Sequence, residues 1–278
     1  MLHTRIDTNP VCEIYNGDCR KIISDNLESW QYAFDFIFAD PPFNIGHGYD
    51  LYYDDLENDA FATFMAEWIG YATYCLRPGG VLAINVPDEL VLIVLQTANA
   101  LSLQRIGWAI WHYRFGQCND GNWINSKAHC LIFRANDITD DGEESIETPH
   151  TWNPNAVLVD SDRASAYNDS RTLLTANPGK RLPLDVWGIP SDGPFWGRVQ
   201  GNNGERIANH PNQLPEKYLE RLILAYTNAG DVILDPFGGT GTTATVARAT
   251  GRRCVTIDIS ADYCADIAQR VQNGALRV

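Results

Sequence analysis

The chain lacks any run of about 18 consecutive apolar residues, which argues against a membrane-spanning helix. Its most apolar stretch, Leu90 to Leu101, is short and is broken by Gln96, Thr97 and Asn99. The opening MLHTRIDTNP has no basic-then-apolar leader pattern, so the expected location is the cytoplasm. CxxC pairs are also missing. The seven cysteines stand at 12, 19, 75, 118, 130, 254 and 264, an odd number at irregular intervals. That offers neither a disulfide framework nor a zinc site, and fits buried thiols in a reducing compartment. His112, His129 and His210 are not at metal-ligand spacing, and no metal is expected. Positive charge is scarce, with 21 Lys and Arg against 35 Asp and Glu and a formal charge of −14. A phosphate backbone attracts cations, so the whole-chain balance speaks against nucleic acid. The deficit is uneven, however. Residues 1–135 hold 8 bases and 16 acids, 136–150 hold 6 acids and no base, and 151–278 hold 13 of each. The local field near a binding face counts for more than the sum.

What is present is a core-forming chain of 278 residues, 45% hydrophobic, with no internal repeat. CEIYNGDCRKII reads as a strand, a Gly-Asp turn and a helix start. FDFIFA is apolar on both faces, as in a central parallel strand covered by helices. AFATFMAEWIGYATYCL is helical in spacing and ends at Leu76-Arg77-Pro78-Gly79-Gly80, before the strand VLAINVP. A helix at about 87–102 and a strand around IGWAIWHYRF follow. This β-α-β-α-β order predicts an open α/β sheet. Periodicity fades over 116–205, predicted as an irregular insertion anchored by Trp187, Phe195 and Trp196, with a mobile acidic loop at 136–150. Regularity returns with PEKYLERLILAYT, whose Tyr218, Leu219, Leu222 and Ile223 share a helical face. The whole chain is read as one domain.

DPFGGTGTT follows the strand Val232-Ile233-Leu234 and opens a helix. Gly238, Gly239 and Gly241 permit a tight turn and close approach of a ligand. Asp258 ends the next strand, where an acid can accept hydrogen bonds from ribose hydroxyls. A dinucleotide and S-adenosylmethionine both suit this pattern. Asp235 repels a pyrophosphate but can bind the amino group of methionine. No Lys follows the glycines, which excludes a P-loop.

Asp40-Pro41-Pro42-Phe43 ends the inferred central strand, where open α/β sheets place their sites. Its chemistry suits alkylation of an aromatic amine, whose lone pair is delocalised into the ring. A carboxylate and a proline carbonyl accepting the two N–H bonds would localise density on nitrogen and aim it. Phe43 offers a ring face for a base flipped out of its stack.

On these motifs the sequence resembles the β-class DNA amino-methyltransferases, in which the catalytic motif precedes the cofactor motif. NGDC at 16–19, DPPF at 40–43, LRPGGVLAI at 76–84, HPNQLPEKYLERLI at 210–223, DPFGGTGTT at 235–243 and IDIS at 257–260 match in order. The resemblance implies a Rossmann-like, seven-stranded sheet with its last strand antiparallel and an irregular target-recognition insertion. It implies an S-adenosylmethionine site formed by Asp18, Cys19, Asp40, His210, Asn212, Gln213, Asp235, Phe237, Gly239, Gly241, Thr242 and Asp258. The catalytic residues would be Asp40, Pro41, Pro42 and Phe43. The expected activity is methylation of double-stranded DNA at adenine N6, with cytosine N4 as the alternative. A homodimer is compatible with the family, and a restriction partner is not legible. Phe43 replaces the commoner Tyr, Asp258 the frequent Glu, and Asn212 and Leu214 a Thr and a Lys.

Arg105, Arg114, Lys127 and Arg134, and Arg171, Lys180, Arg181, Arg198 and Arg206, are expected to supply the DNA face. A dehydrogenase would leave DPPF idle. A methyltransferase for RNA or a protein amide shares the motifs, and a catalytically dead DNA-binding module is disfavoured by the intact Asp40 and Asp235.

Overall fold

The computed structural model describes residues 2–44, 47–48, 53–117, 121, 123–138, 144–145, 148–207, 210 and 212–278. Among the described residues nine strands form the main sheet. They are β1 (Leu2–Ile6), β2 (Cys12–Asn16), β3 (Phe34–Ala39), β4 (Leu76–Val86), β5 (Gln104–Gln117), β6 (Asn125–Arg134), β7 (Val186–Trp187), β8 (Val232–Asp235) and β9 (Arg253–Asp258). Their order across the sheet is β1-β2-β9-β8-β3-β4-β6-β5-β7. From β2 to β4 every pairing is parallel, and β6 runs antiparallel to both its neighbours.

The expected count of seven strands is therefore corrected to nine. The two additions sit at the edges, where β1 folds back on β2 and two-residue β7 lies beside β5. Such pieces cover otherwise unpaired backbone groups, and two residues are too few to leave a sequence period. Irregularity from 116 onward is corrected too. Residues 125–134 are a sheet strand whose polar start, Asn-Ser-Lys, disguises the buried Ala128–Arg134 half. Beyond it the chain is irregular as expected, with single-turn helices and two-residue strand pairs. Positions 139–143 and 146–147 of the expected acidic loop lie outside the described residues, while Asp137–Ile138 and Glu144–Ser145 pair with each other.

The central strand β3 explains its own composition. Phe36 and Phe38 point into one apolar layer and Ile37 and Ala39 into the other, as period-two alternation requires. Both faces are covered, so both sets are apolar. One layer is completed by α1 (Cys19–Asp25), α2 (Asn58–Cys75) and α3 (Val91–Ala100). On α2, Phe61, Phe64, Met65, Trp68, Ile69, Ala72 and Cys75 are buried at helical spacing. The other layer is completed by α4 (Glu216–Tyr226), α5 (Thr242–Ala249) and α6 (Ala261–Asn273). Tyr218, Leu219, Leu222 and Ile223 of α4 are all fully buried there, as their spacing predicts.

The irregular region is pinned to this second layer by its aromatics. Trp111 Nε1 donates to Trp196 O at 2.7 Å. The Arg221 guanidinium lies 4.0 Å from the centre of the Trp196 ring and 5.6 Å from that of Trp187, and pairs with Asp192 at 3.0 Å. The six described cysteines carry unpaired thiols, five of them buried. Among the described residues no helix is long and apolar enough to cross a membrane.

Candidate active site

Strands β8 and β3 are neighbours, yet from β8 the chain winds outward to β9 and from β3 to β4. A crevice opens at such a reversal, beyond the carboxyl ends of the strands. Here it is a cavity of about 980 Å³. Of the residues expected at the site, all but Gly241 line it. Gly241 stands behind the loop with φ +75, and a Cβ there would meet Ile267 at 3.0 Å. Its role is to let the chain turn into α5 close to α6.

One end of the cavity is walled by carboxylates that the backbone holds. Asp258 Oδ2 accepts from Gly239 N at 2.7 Å, and its Oδ1 from Ser260 N at 2.9 Å. Asp235 Oδ1 accepts from Phe237 N at 3.0 Å, and the nearby Thr243 hydroxyl also favours its charged form. Burial pushes Asp235 up to about 7 against these bonds, and Asp40 and Asp258 add to the push. Asp18 caps α1 by accepting from Arg20 N at 2.9 Å. Its other oxygen meets Arg20 Nη2 at 2.7 Å. Burial raises the Asp18 carboxyl, but the Arg20 bonds and charge outweigh it and the net shift is downward. Cys19 beside it is buried, and that burial lifts its thiol to about 12. Phe237 packs edge-on against Trp68 and Phe64 of α2, with centroids 5.2 and 6.1 Å away.

The segment before α4 forms the next wall. A Cβ at Gly239, whose φ is +51, would stand 3.2 Å from His210 Nε2, so the glycine keeps His210 close to the loop. Asn212 Oδ1 accepts from Arg198 Nη2 at 3.1 Å. Gln213 turns its amide inward, donating to Glu205 O at 2.6 Å and accepting from Ile207 N at 2.9 Å. Thr242 Oγ1 donates to Leu214 O at 3.2 Å and accepts from Arg270 Nη1 at 2.8 Å. Arg270 also pairs with the fully buried Glu216 at 3.0 Å, which braces the glycine loop against the start of α4.

Asp40 lies just past β3. Burial pushes its carboxyl up to about 6, and the hydrogen bond from Asn85 opposes that rise. Asn85 Nδ2 donates to Asp40 Oδ1 at 2.8 Å. Pro41 is buried, and Phe43 packs at the edge of the α2 layer. Asn44 closes the tetrapeptide by exchanging two hydrogen bonds with the Leu56 backbone, at 2.6 and 2.8 Å. At the far end of the cavity Lys127 and His129 both bond Asp88, while Trp108 Nε1 donates to His129 Nδ1 at 3.0 Å. That bond makes His129 Nδ1 an acceptor, so the proton sits on Nε2 toward Asp88. Among the described residues no group of three His, Cys, Asp or Glu is placed to hold a metal.

The family model for DNA methylases matches residues 34–270. The chain belongs to this family. It is 31% identical over 244 residues to the DNA adenine methyltransferase YhdJ of Escherichia coli K12, covering 82% of this chain and 73% of that one. Two solved structures share the fold. The complex of M1.HpyAVI with SAM superposes with a TM-score of 0.60 at 16% identity, over 93% of this chain and 99% of that one. The cytosine-N4-specific PvuII DNA methyltransferase gives 0.66 at 17% identity, over 93% and 86%.

In this methylase the expected basic face is only partly realised. Lys127 and Arg198 line the cavity, and Arg198 lies 5.4 Å from the centre of the Tyr113 ring. Arg105 and Arg134 do not: they stand at the opposite end of the sheet, where Arg134 pairs with Val81 and is 5% exposed. Arg105 is exposed but starts β5 at that far end, while Arg134 is buried because β6 runs antiparallel and carries its last residue away from the site. Arg171, Lys180 and Arg181 are paired with Asp169, Asp160 and Asp162. The side chain of Arg114 lies outside the described residues. Sequence reasoning missed Asn85 and Arg20, which line the cavity. Only Asn85 carried a signal, as an amide inside the apolar strand LAINV.

Proposed function

We propose that this methylase transfers the methyl group of S-adenosylmethionine to N6 of an adenine flipped out of double-stranded DNA in the cytoplasm. The observation that carries the reading is the convergence of Asp18, Asp40, Asp235 and Asp258 on one cavity. Such a wall repels a pyrophosphate and favours a cation, which sets a sulfonium cofactor above a dinucleotide. When bound, the cofactor supplies a methyl group on a positively charged sulfur. Asp258, already oriented by Gly239 and Ser260, is placed to accept from ribose hydroxyls. Asp235 suits the methionine amino group. Asp40 and the Pro41 carbonyl accept the two N–H bonds of the target amine, and Phe43 stacks on its ring. Transfer leaves the nitrogen cationic, and the proton it sheds lies on a hydrogen bond to Asp40.

Adenine is favoured because a carboxylate at the head of the tetrapeptide resembles the adenine enzymes, and YhdJ is named as one. Cytosine N4 remains the second reading, since the PvuII enzyme shares the fold. Unmodified DNA, RNA and protein are incubated with labelled S-adenosylmethionine, and the DNA is digested to nucleosides for mass spectrometry. N6-methyladenine is expected. N4-methylcytosine alone would overturn the choice of base, and label only in RNA or protein would overturn the DNA reading.

A further inference from the structure

Asp40 ends a hydrogen-bonded chain that crosses the sheet. Its Oδ1 accepts from Asn85 Nδ2 at 2.8 Å. Asn85 Oδ1 accepts from the Tyr218 hydroxyl at 3.0 Å. The Cys130 side chain lies beside the Tyr218 hydroxyl, and burial lifts its thiol to about 12 and so keeps it protonated. Tyr218 and Cys130 are 0% exposed and Asn85 is 2% exposed, so no water replaces a lost partner readily. The three hydrogen-bonded residues come from α4, β4 and the end of β3.

Proton counting gives this chain a direction. The Tyr218 hydroxyl has one proton and donates it to Asn85. The bonds then run O–H to amide oxygen and amide N–H to carboxylate. A primary amide is nearly symmetric in shape, and only its partners decide which end faces which way. Turned over, Asn85 would set its carbonyl oxygen against the Asp40 carboxylate and take its acceptor away from the Tyr218 O–H.

We propose that Tyr218 and Asn85 are positioning residues for methyl transfer: Tyr218 fixes the facing of the Asn85 amide, and Asn85 holds one oxygen of Asp40 so that the other meets the target amine. No other hydrogen bond reaches Asp40 among the described residues. The inference rests on the reading of Asp40 as the acceptor of that amine.

The test compares Tyr218→Phe, Asn85→Ala, their double variant and Asp40→Ala in the full chain. It measures kcat against pH, cofactor affinity by titration calorimetry, and the Asp40 carboxyl titration by carbon-13 NMR. Asn85→Ala is expected to lower kcat about 100-fold and Tyr218→Phe about tenfold, the scale of a reacting group set slightly out of place. The double variant is expected to match Asn85→Ala, because Tyr218 acts through Asn85. Cofactor affinity should stay within about twofold. Both single variants should move the Asp40 titration and the acid limb of kcat to higher pH, since each weakens a donor to the charged form. Multiplying losses in the double variant, or an unmoved Asp40 titration, would overturn the inference. Turnover retained by Asp40→Ala would instead sink the underlying reading of Asp40. An inactive Asp40→Ala beside full activity in the other variants would sink the relay alone.

Discussion

At the Asp235–Asp258 end of the cavity the charged groups are held by backbone N–H donors, whereas at the Lys127–Arg198 end they are held by other side chains. The difference has a physical origin. A carboxylate that must accept from a loop's own N–H groups fixes both its own identity and the loop's conformation. A glycine with positive φ under His210 adds to the demand. Few sequences meet such conditions. A lysine on an aspartate, or an arginine over a tyrosine ring, can be exchanged for many other pairs. The first end is therefore demanding in residue type, whereas the contacts at the second could be made by other pairs.

The sharpest challenge to this division falls between its halves. Asp40→Ala is expected to lower turnover by more than about 1,000-fold, since it removes the positioned acceptor. Cofactor affinity should stay within about tenfold, because Asp235 and Asp258 remain. Single-turnover kinetics beside calorimetry would read both, and retained turnover would refute the assignment. Asp258→Ala is expected to weaken the cofactor by about 1.5–3 kcal/mol, the range for hydrogen bonds to a charged group. Unchanged affinity would mean that the loop keeps its shape without the carboxylate.

Protons offer a third test. Asp235 and Asp40 are raised to about 7 and about 6, so both are largely protonated at pH 5. A cationic cofactor prefers the carboxylates, so its affinity should fall by roughly tenfold or more between pH 7.5 and 5.5. The ligand-free protein should respond in the opposite sense. A pKa raised in the folded state stabilises below the unfolded value and is lost as pH rises through the folded one. These two groups therefore remove stability from the free protein between about pH 4 and 7. Melting curves with and without cofactor across that window should diverge, and parallel curves would contradict the buried placement.

The smallest expected effect belongs to the other end. Lys127→Ala or Arg198→Ala should weaken DNA binding a few-fold, flattening the salt dependence by about 0.9 for each phosphate no longer neutralised. Cofactor affinity should not move. Equal falls in affinity for cofactor and for DNA would show that the two ends are one unit.

The same contrast explains what was legible in the sequence. NGDC, DPPF and DPFGGTGTT could be placed because strand ends, tight turns and caps restrict residue type. The parallel core could be placed because helices on both faces make strands such as Phe34–Ala39 uniformly apolar. The edge strands left no pattern. Arg134 misled because charge was read as exposure, although its strand reverses direction. Tyr218 was read as core for α4, and its packing is indeed core. Its hydroxyl meets Asn85 across 133 positions of sequence, a pairing that no local pattern records.

The sheet order also governs how the molecule is made. Strand β3 pairs with β8, and β2 with β9, so the central strands wait for partners from the last quarter of the chain. The backbone N–H of Val232 reaches Asp35 across 197 positions. A nascent chain emerging from the ribosome thus carries the Asp-Pro-Pro-Phe tetrapeptide early but exposes the open edge of β3 for most of synthesis, a slow and aggregation-prone topology. A chain interrupted before β8 and β9 lacks Asp235, Asp258 and the glycine loop between them, so the cavity is not formed in unfinished protein.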